Sequence, residues 1–210
     1  MHTPRMSSPT EKILPERAAG DKGENRSRLS AADWERAALD AIAEYGLAGI
    51  AVEPLARRLG VTKGSFYWHF PTREALLKAA LERWERQDEE DIFDPLEPIV
   101  DPRARLRELF HRVANDMPSH VIFAALLKAL DHPLVQPVIE RVSQRRLDFL
   151  TVAYRQAGLD KVSAAQRARL AYTAYAGFLQ LAWAGLPRLT HEEFEQYMEH
   201  VMATLLPAAN

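Results

Sequence analysis

The chain has 210 residues, 47% of them hydrophobic and 27% charged, with a formal net charge of −2. That balance supports a buried core in one large or two small domains, and no apolar run approaches the eighteen or so residues of a membrane span. The absence of cysteine excludes disulfides, thiol catalysis and thiolate metal sites and fits a reducing cytoplasm.

The first 29 residues are rich in Pro, Ser, Gly and charge and lack the apolar stretch of a secretory signal, so they read as a mobile arm. Lys22, Arg26 and Arg28 lie near its folded end, where they could follow a phosphate backbone or belong to a plain solvated tail. Residues 1–87 carry 14 Lys+Arg against 12 Asp+Glu, or +2, and residues 88–210 carry 13 against 17, or −4.

From Ser30 onward every segment has helical periodicity. "SAAD" at 30–33 is a capping box, followed by Trp34, Ala37, Ala38, Ala41, Ile42 and Tyr45 on one stripe and by Gly46 as a stop. A short helix is expected over 52–59, with Pro54 in its first turn and Leu55, Ala56 and Leu59 inward. Another is expected over 63–70. A fourth starts after Thr72, with Leu76, Leu77, Ala80, Leu81 and Trp84 inward. "QDEEDIFDPLEPIVD" at 87–101 is acidic, carries prolines and reads as a boundary, with Asp88–Asp91 as a solvated helix end.

Further helices follow: from Asp101-Pro102 to about Asn115, an all-round apolar one over 119–130, a long one over 134–157 stopped by Gly158, and two opened by the capping boxes "SAAQ" (163–166) and "THEE" (190–193). Gly185 and Pro187 close the first of those two. The expected fold is all-α with about nine helices: an arm over 1–29, a helix-turn-helix unit over 30–87 and a helical unit over 88–210.

The aromatic run in "GVTKGSFYWHF" (60–70) is the most informative stretch. Gly60 permits a tight turn between two short helices, and Thr62 is placed to cap the second. Phe66 and Phe70 share one face and, with Val61, can fill a small core. Lys63, Gly64, Ser65, Tyr67, Trp68 and His69 fall on other faces. A narrow helix with a small, cationic, hydrogen-bonding start suits the DNA major groove. Lys63 can reach a guanine edge or a phosphate, and Gly64 and Ser65 let the backbone approach. Tyr67 and His69 can donate to phosphates, and Arg73 and Lys78 extend that rim. The competing reading of the aromatics is plain core.

Residues 30–86 resemble the DNA-binding domain of the tetracycline-repressor (TetR) family, most specifically in "LARRLGVTKGSFYWHFPTREALL". The resemblance implies a dimer on a palindromic operator, with a C-terminal helical domain that dimerises and holds an inducer pocket. By position, Ser65, Tyr67, His69 and Arg73 match DNA-contacting places of the family and Lys63 a base-reading place. Two positions depart from the pattern: Ala51 stands where a hydroxyl cap is common, and Glu53 where some members carry a base-contacting basic residue. The C-terminal half matches only in length, helix count and a long penultimate helix.

In that half, Ala171, Ala174, Ala176 and Gly177 allow close helix approach, and the family assigns the last two long helices to a dimer interface. Phe110, Met117, Phe123, Tyr154, Tyr175, Phe178 and Trp183 are candidates for lining a pocket for a small apolar or aromatic effector, or are simply core. His111, His120, His132, His191 and His200 lack metal-ligand spacing and read as surface or cap residues. No cofactor is expected, and no motif of a helical-bundle enzyme occurs. The expected function is an effector-released repressor. The alternative is an activator, or a family member that binds DNA or a partner without an inducer.

Overall fold

The computed structural model describes residues 29–115, 117–183 and 189–207, and only the backbone at 117, 118, 182 and 183. Residues 1–28, with the basic arm, and the expected stop at Gly185 and Pro187 lie outside the described residues. Among the described residues there is no strand, and none of the helices is long and apolar enough to cross a membrane.

α1 (Ala31–Tyr45) buries Trp34, Ala37, Ala38, Ala41 and Ile42 as expected, and Leu39 as well. Its start is held by the Asp33 carboxylate, which accepts from both the backbone N–H and the hydroxyl of Ser30 at 2.7 Å. Tyr45, expected inward, is 69% exposed, because the helix ends there and a 3₁₀ turn over Gly46–Gly49 redirects the chain. α2 (Val52–Arg58) and α3 (Lys63–Tyr67) follow, and α3 stops three residues short of the expected end. α4 (Arg73–Asp88) is capped by the Thr72 hydroxyl, which accepts from Ala75 N–H at 3.1 Å, and buries all five expected apolar residues.

The acidic stretch after α4 is not a loose boundary. Residues Glu89–Phe93 continue α4 as a π turn and Asp94–Leu96 form a 3₁₀ turn, which together bury Ile92, Phe93 and Leu96. Of the expected solvated end Asp88–Asp91, Asp88 is buried instead, Glu89 is half-exposed and ion-paired, and Glu90 and Asp91 are exposed. Burial of these apolar residues folds the segment onto the core, and Arg146 and Arg145 of a later helix pair with Asp88 and Glu89.

α5 (Pro102–Asn115) starts at Asp101, whose carboxylate accepts from Arg103 and Ala104 N–H at 3.3 and 3.1 Å. α6 (Met117–Leu127) buries Phe123, Ala124 and Leu126. α7 (Val135–Gln156) ends before Gly158, whose φ of +102° no L side chain adopts readily. α8 (Lys161–Trp183) packs along α7 but does not start at "SAAQ". Its cap is Asp160, whose carboxylate takes Val162 N–H at 2.9 Å, Ser163 N–H at 3.0 Å and the Ser163 hydroxyl at 2.5 Å. A carboxylate at the cap accepts more strongly than a hydroxyl, so it wins over the serine three positions later. α9 (His191–Leu205) has the expected capping box between Thr190 and Glu193.

Two apolar clusters organise these helices. The first joins α1–α4 to α6 and the first half of α7, and the second gathers the π turn, α5, the second half of α7, the first half of α8 and Leu205.

Candidate nucleic-acid interface and internal cavity

α2 and α3 are too short to stand alone, so their arrangement is imposed by what lies beneath them. Gly60 has φ +68° and donates to Arg57 C=O at 3.1 Å, while Val61 donates to Ala56 C=O at 2.9 Å, which closes the turn. Below α3, Phe66 is fully buried, edge-on to Trp34 at 5.4 Å and beside Phe70 at 5.9 Å. These aromatic contacts supply the core that the two helices lack.

The opposite face is open. Tyr67 and Trp68 are 55% and 89% exposed, Thr62, Lys63 and Gly64 are exposed, and Ser65 and His69 are half-buried. Thr62 occupies the cap position of α3 in extended geometry, but its hydroxyl makes no capping bond; Ser65 N–H goes to the Thr62 carbonyl at 3.0 Å instead. Lys78 is exposed and sits 3.9 Å from Glu82 on its own helix.

Two residues differ from a simple phosphate-facing rim. Arg73 turns back under the fold and donates from Nε to Ile50 C=O at 2.5 Å and from Nη2 to Leu47 C=O at 2.8 Å. It thereby ties the N-terminus of α4 to the segment that leads into α2. Lys63 hydrogen-bonds to Glu53 of α2, which raises the lysine pKa and lowers that of the glutamate. Glu53 therefore competes with any anion for the cation closest to the start of α3.

At the far end of α4 lies a cavity of about 70 Å³. Its wall combines Asp88 of α4, Ile92 and Phe93 of the π turn, Leu109, Phe110 and Val113 of α5, Ser119 and His120 of α6, Arg146 and Leu150 of α7, and Ala171, Tyr172 and Tyr175 of α8. Arg146 forks onto Asp88, with Nη2 to Oδ1 at 2.5 Å and Nε to Oδ2 at 3.2 Å, and its guanidinium lies 4.7 Å over the Phe123 ring. The Arg146 Nη1 is shut off from solvent without a hydrogen-bond partner. Burial pulls the guanidinium pKa down, and the adjoining Asp88 charge outweighs it, so Arg146 stays charged.

His120, expected at the surface, is 9% exposed and stands edge-on to Tyr175 at 5.3 Å. Burial, with the Arg146 charge adding to it, pushes its pKa down to about 4, so the imidazole is neutral at pH 7. Burial likewise pushes the Tyr175 phenol up to about 12. The Tyr172 hydroxyl is 2.7 Å from Ser143 Oγ. The lining is thus apolar, with one neutralised ion pair and uncharged polar groups.

Residues 36–80 match the profile described as "Bacterial regulatory proteins, tetR family". Two curated proteins are similar. Tetracycline repressor protein class A from transposon 1721 of Escherichia coli is 49% identical over 47 residues, 22% of each chain. HTH-type transcriptional regulator TtgR of Pseudomonas putida is 29% identical over 164 residues, 72% of this chain and 78% of that one. A solved transcriptional regulator from Rhodococcus sp. Rha1 superposes with a TM-score of 0.71 at 21% identity, covering 85% of this chain and 96% of that one. Residues 36–80 are thus those of a tetR-family bacterial regulatory protein, and similarity to a transcriptional regulator extends over 72% of the chain.

The similarity to the tetracycline repressor takes in only about a fifth of that protein's length. The tetR-family match runs from within α1 to the middle of α4, and the cavity lies beyond the matched residues. Of the expected pocket residues, Phe110 and Tyr175 line the cavity. Phe123 stacks behind Tyr175 at 5.9 Å as part of the first cluster. Tyr154 is fully buried in the second cluster, away from the wall. Phe178 stacks on Tyr197 of α9 at 5.3 Å instead of facing the cavity. The Met117 and Trp183 side chains lie outside the described residues.

The decisive polar lining is not visible to sequence reasoning. Asp88, His120 and Arg146 sit on three different helices, and no local spacing joins them. Their one legible signal is the apolar, aromatic surroundings of two of them in sequence, "SHVIF" for His120 and "RRLDFL" for Arg146.

Proposed function

We propose that this chain is a homodimeric repressor: residues 30–87 bind a palindromic operator, and residues 88–210 dimerise and hold a small apolar or aromatic effector that releases the DNA. The observation that carries this reading is that α4 touches both ends of the process. Its first residue, Arg73, grips the carbonyls leading into the helix-turn-helix, and its last, Asp88, forms part of the cavity wall. Sixteen helical residues make a strut of about 24 Å. Filling the cavity displaces the Asp88 end of α4, tilts that strut and alters the separation of the two recognition helices, a population shift between two packings.

On the DNA side, Lys63, Gly64, Ser65, Tyr67, Trp68 and His69 form the groove-facing surface, with Thr62 and Lys78 at its edge. For the dimer, α8 carries an uncovered stripe: Leu170 and Leu181 are 55% and 54% exposed, Thr173 and Ala174 lie between them, and a Cβ added at Gly177 would meet nothing within 4 Å. A twofold pair joined there sets two recognition helices about one DNA turn apart, near 34 Å.

The test is a gel shift with DNA flanking the chain's own gene, run alongside sedimentation of wild type and Leu170→Glu. Specific binding by a dimer, lost together with dimerisation in the variant, supports the reading. A monomeric wild type, or no binding at low salt, overturns it.

A further inference from the structure

The cavity is electrically balanced before anything enters it. Among the described residues that line it the one cation, Arg146, is matched by Asp88, and His120, Tyr172 and Tyr175 are uncharged side chains packed around them. An incoming carboxylate would leave a net negative charge among Ile92, Phe93, Leu109 and Phe110, and an incoming ammonium a net positive one. Either carries a desolvation cost that one hydrogen bond does not offset. A pure hydrocarbon avoids that cost but leaves Arg146 Nη1 as it is now, a buried donor beside the Tyr175 phenol without a well-formed hydrogen bond of its own. The arrangement is incomplete by one neutral acceptor.

We infer that the cavity selects a neutral, mainly apolar molecule, about one aromatic ring in its buried part, that places a single carbonyl-type oxygen on Arg146. This rests on the reading of the cavity as the effector site and names its chemical class. The aromatic walls set the ring, since Tyr175 already stacks on Phe123 and meets His120 edge-on, so a further ring continues an existing packing pattern. The oxygen sets orientation. Selection acts against both charges, because a second ion disrupts the Asp88–Arg146 pair instead of completing it.

Four ring compounds of similar size test this by calorimetric titration of the full chain: acetophenone, ethylbenzene, benzoate and benzylamine. Acetophenone is expected to bind at least about fivefold more tightly than ethylbenzene, as a hydrogen bond to a charged donor implies, and benzoate and benzylamine more weakly than either. Arg146→Met should erase the preference for the ketone. Because that variant leaves Asp88 buried without a partner, the double variant Asp88→Leu/Arg146→Met serves as the second check: it should bind ethylbenzene and acetophenone alike.

Equal binding of ketone and hydrocarbon by wild type, tighter binding of either ion, or no heat with any of the four overturns the inference. Gel shifts with the same compounds separate it from the broader reading. Ketone binding without DNA release defeats effector release and leaves the selectivity intact. DNA release by benzoate or benzylamine does the opposite.

Discussion

Asp88, the last residue of α4, and Arg146, in the middle of α7, are joined by two hydrogen bonds with only 4% and 12% of their side chains exposed. Beside them Arg141 pairs with Glu85 and Arg145 with Glu89, so α7 holds the end of α4 through three guanidinium–carboxylate contacts. Of the three, the Asp88 pair is the one shut away from water. Asp88→Asn and Arg146→Met are each expected to destabilise the fold by about 3–5 kcal/mol, because each leaves a buried partner uncompensated, while the paired replacement by apolar residues costs far less. Urea denaturation of the two singles and the double decides it; additive losses would rule out the coupling.

Arg73 is expected to act on DNA through the fold. Arg73→Ala removes two charge-assisted hydrogen bonds to the Ile50 and Leu47 carbonyls and should cost roughly 2 kcal/mol of stability as well as operator affinity. Tyr67→Ala and Ser65→Ala should weaken DNA binding and leave the melting temperature within a degree or two. If Arg73→Ala lost affinity with an unchanged melt, the side chain would be a direct DNA contact after all.

Glu53→Gln should strengthen DNA binding several-fold at low salt by releasing Lys63, whose ammonium it holds in the free protein. One more available cation steepens the slope of log K against log salt by about one. The effect should vanish in a Lys63→Ala background. An unaltered salt slope in Glu53→Gln would show that the pair already opens at no cost on the duplex.

The buried His120 predicts an acid-side loss of stability. Unfolded, it takes up a proton near its ordinary 6.5; folded, burial beside Arg146 holds that back to about 4. Between those values the unfolded chain binds more protons, so this contribution is complete above pH 6.5 and declines as pH falls toward 4, by up to the order of 3 kcal/mol. His120→Asn should flatten the stability curve between pH 4.5 and 6.5. Parallel curves for variant and wild type would mean that His120 is protonated in place.

The α1–α4 unit is legible in the sequence because its information is local. Three- and four-residue spacing set the stripes, Gly60 sets the turn, and Phe66 and Phe70 have only one side on which to be buried. Capping is less legible: "SAAQ" has the right letters, yet Asp160, three residues earlier, offers a carboxylate. The cavity is only partly legible. Phe110 and Tyr175 stand out as aromatics, but Asp88 resembles one more solvated acid in "QDEED" because its partner lies 58 residues away. The same distance effect disguises Arg73, whose acceptors are carbonyls that no sequence pattern displays.

Trp84 near the end of α4 stacks on Phe123 of α6 at 6.1 Å, and both belong to the cluster that also holds Trp34 and Phe66. A chimera spliced at residue 87 would therefore strip one wall from the hydrophobic interior of its own reading head. Engineers who wish to transplant this head onto another sensor would need to carry α6 with it, or resurface Leu81 and Trp84. Grafts that ignore this should emerge as sticky, poorly folded fragments even though every groove-facing residue has been copied faithfully.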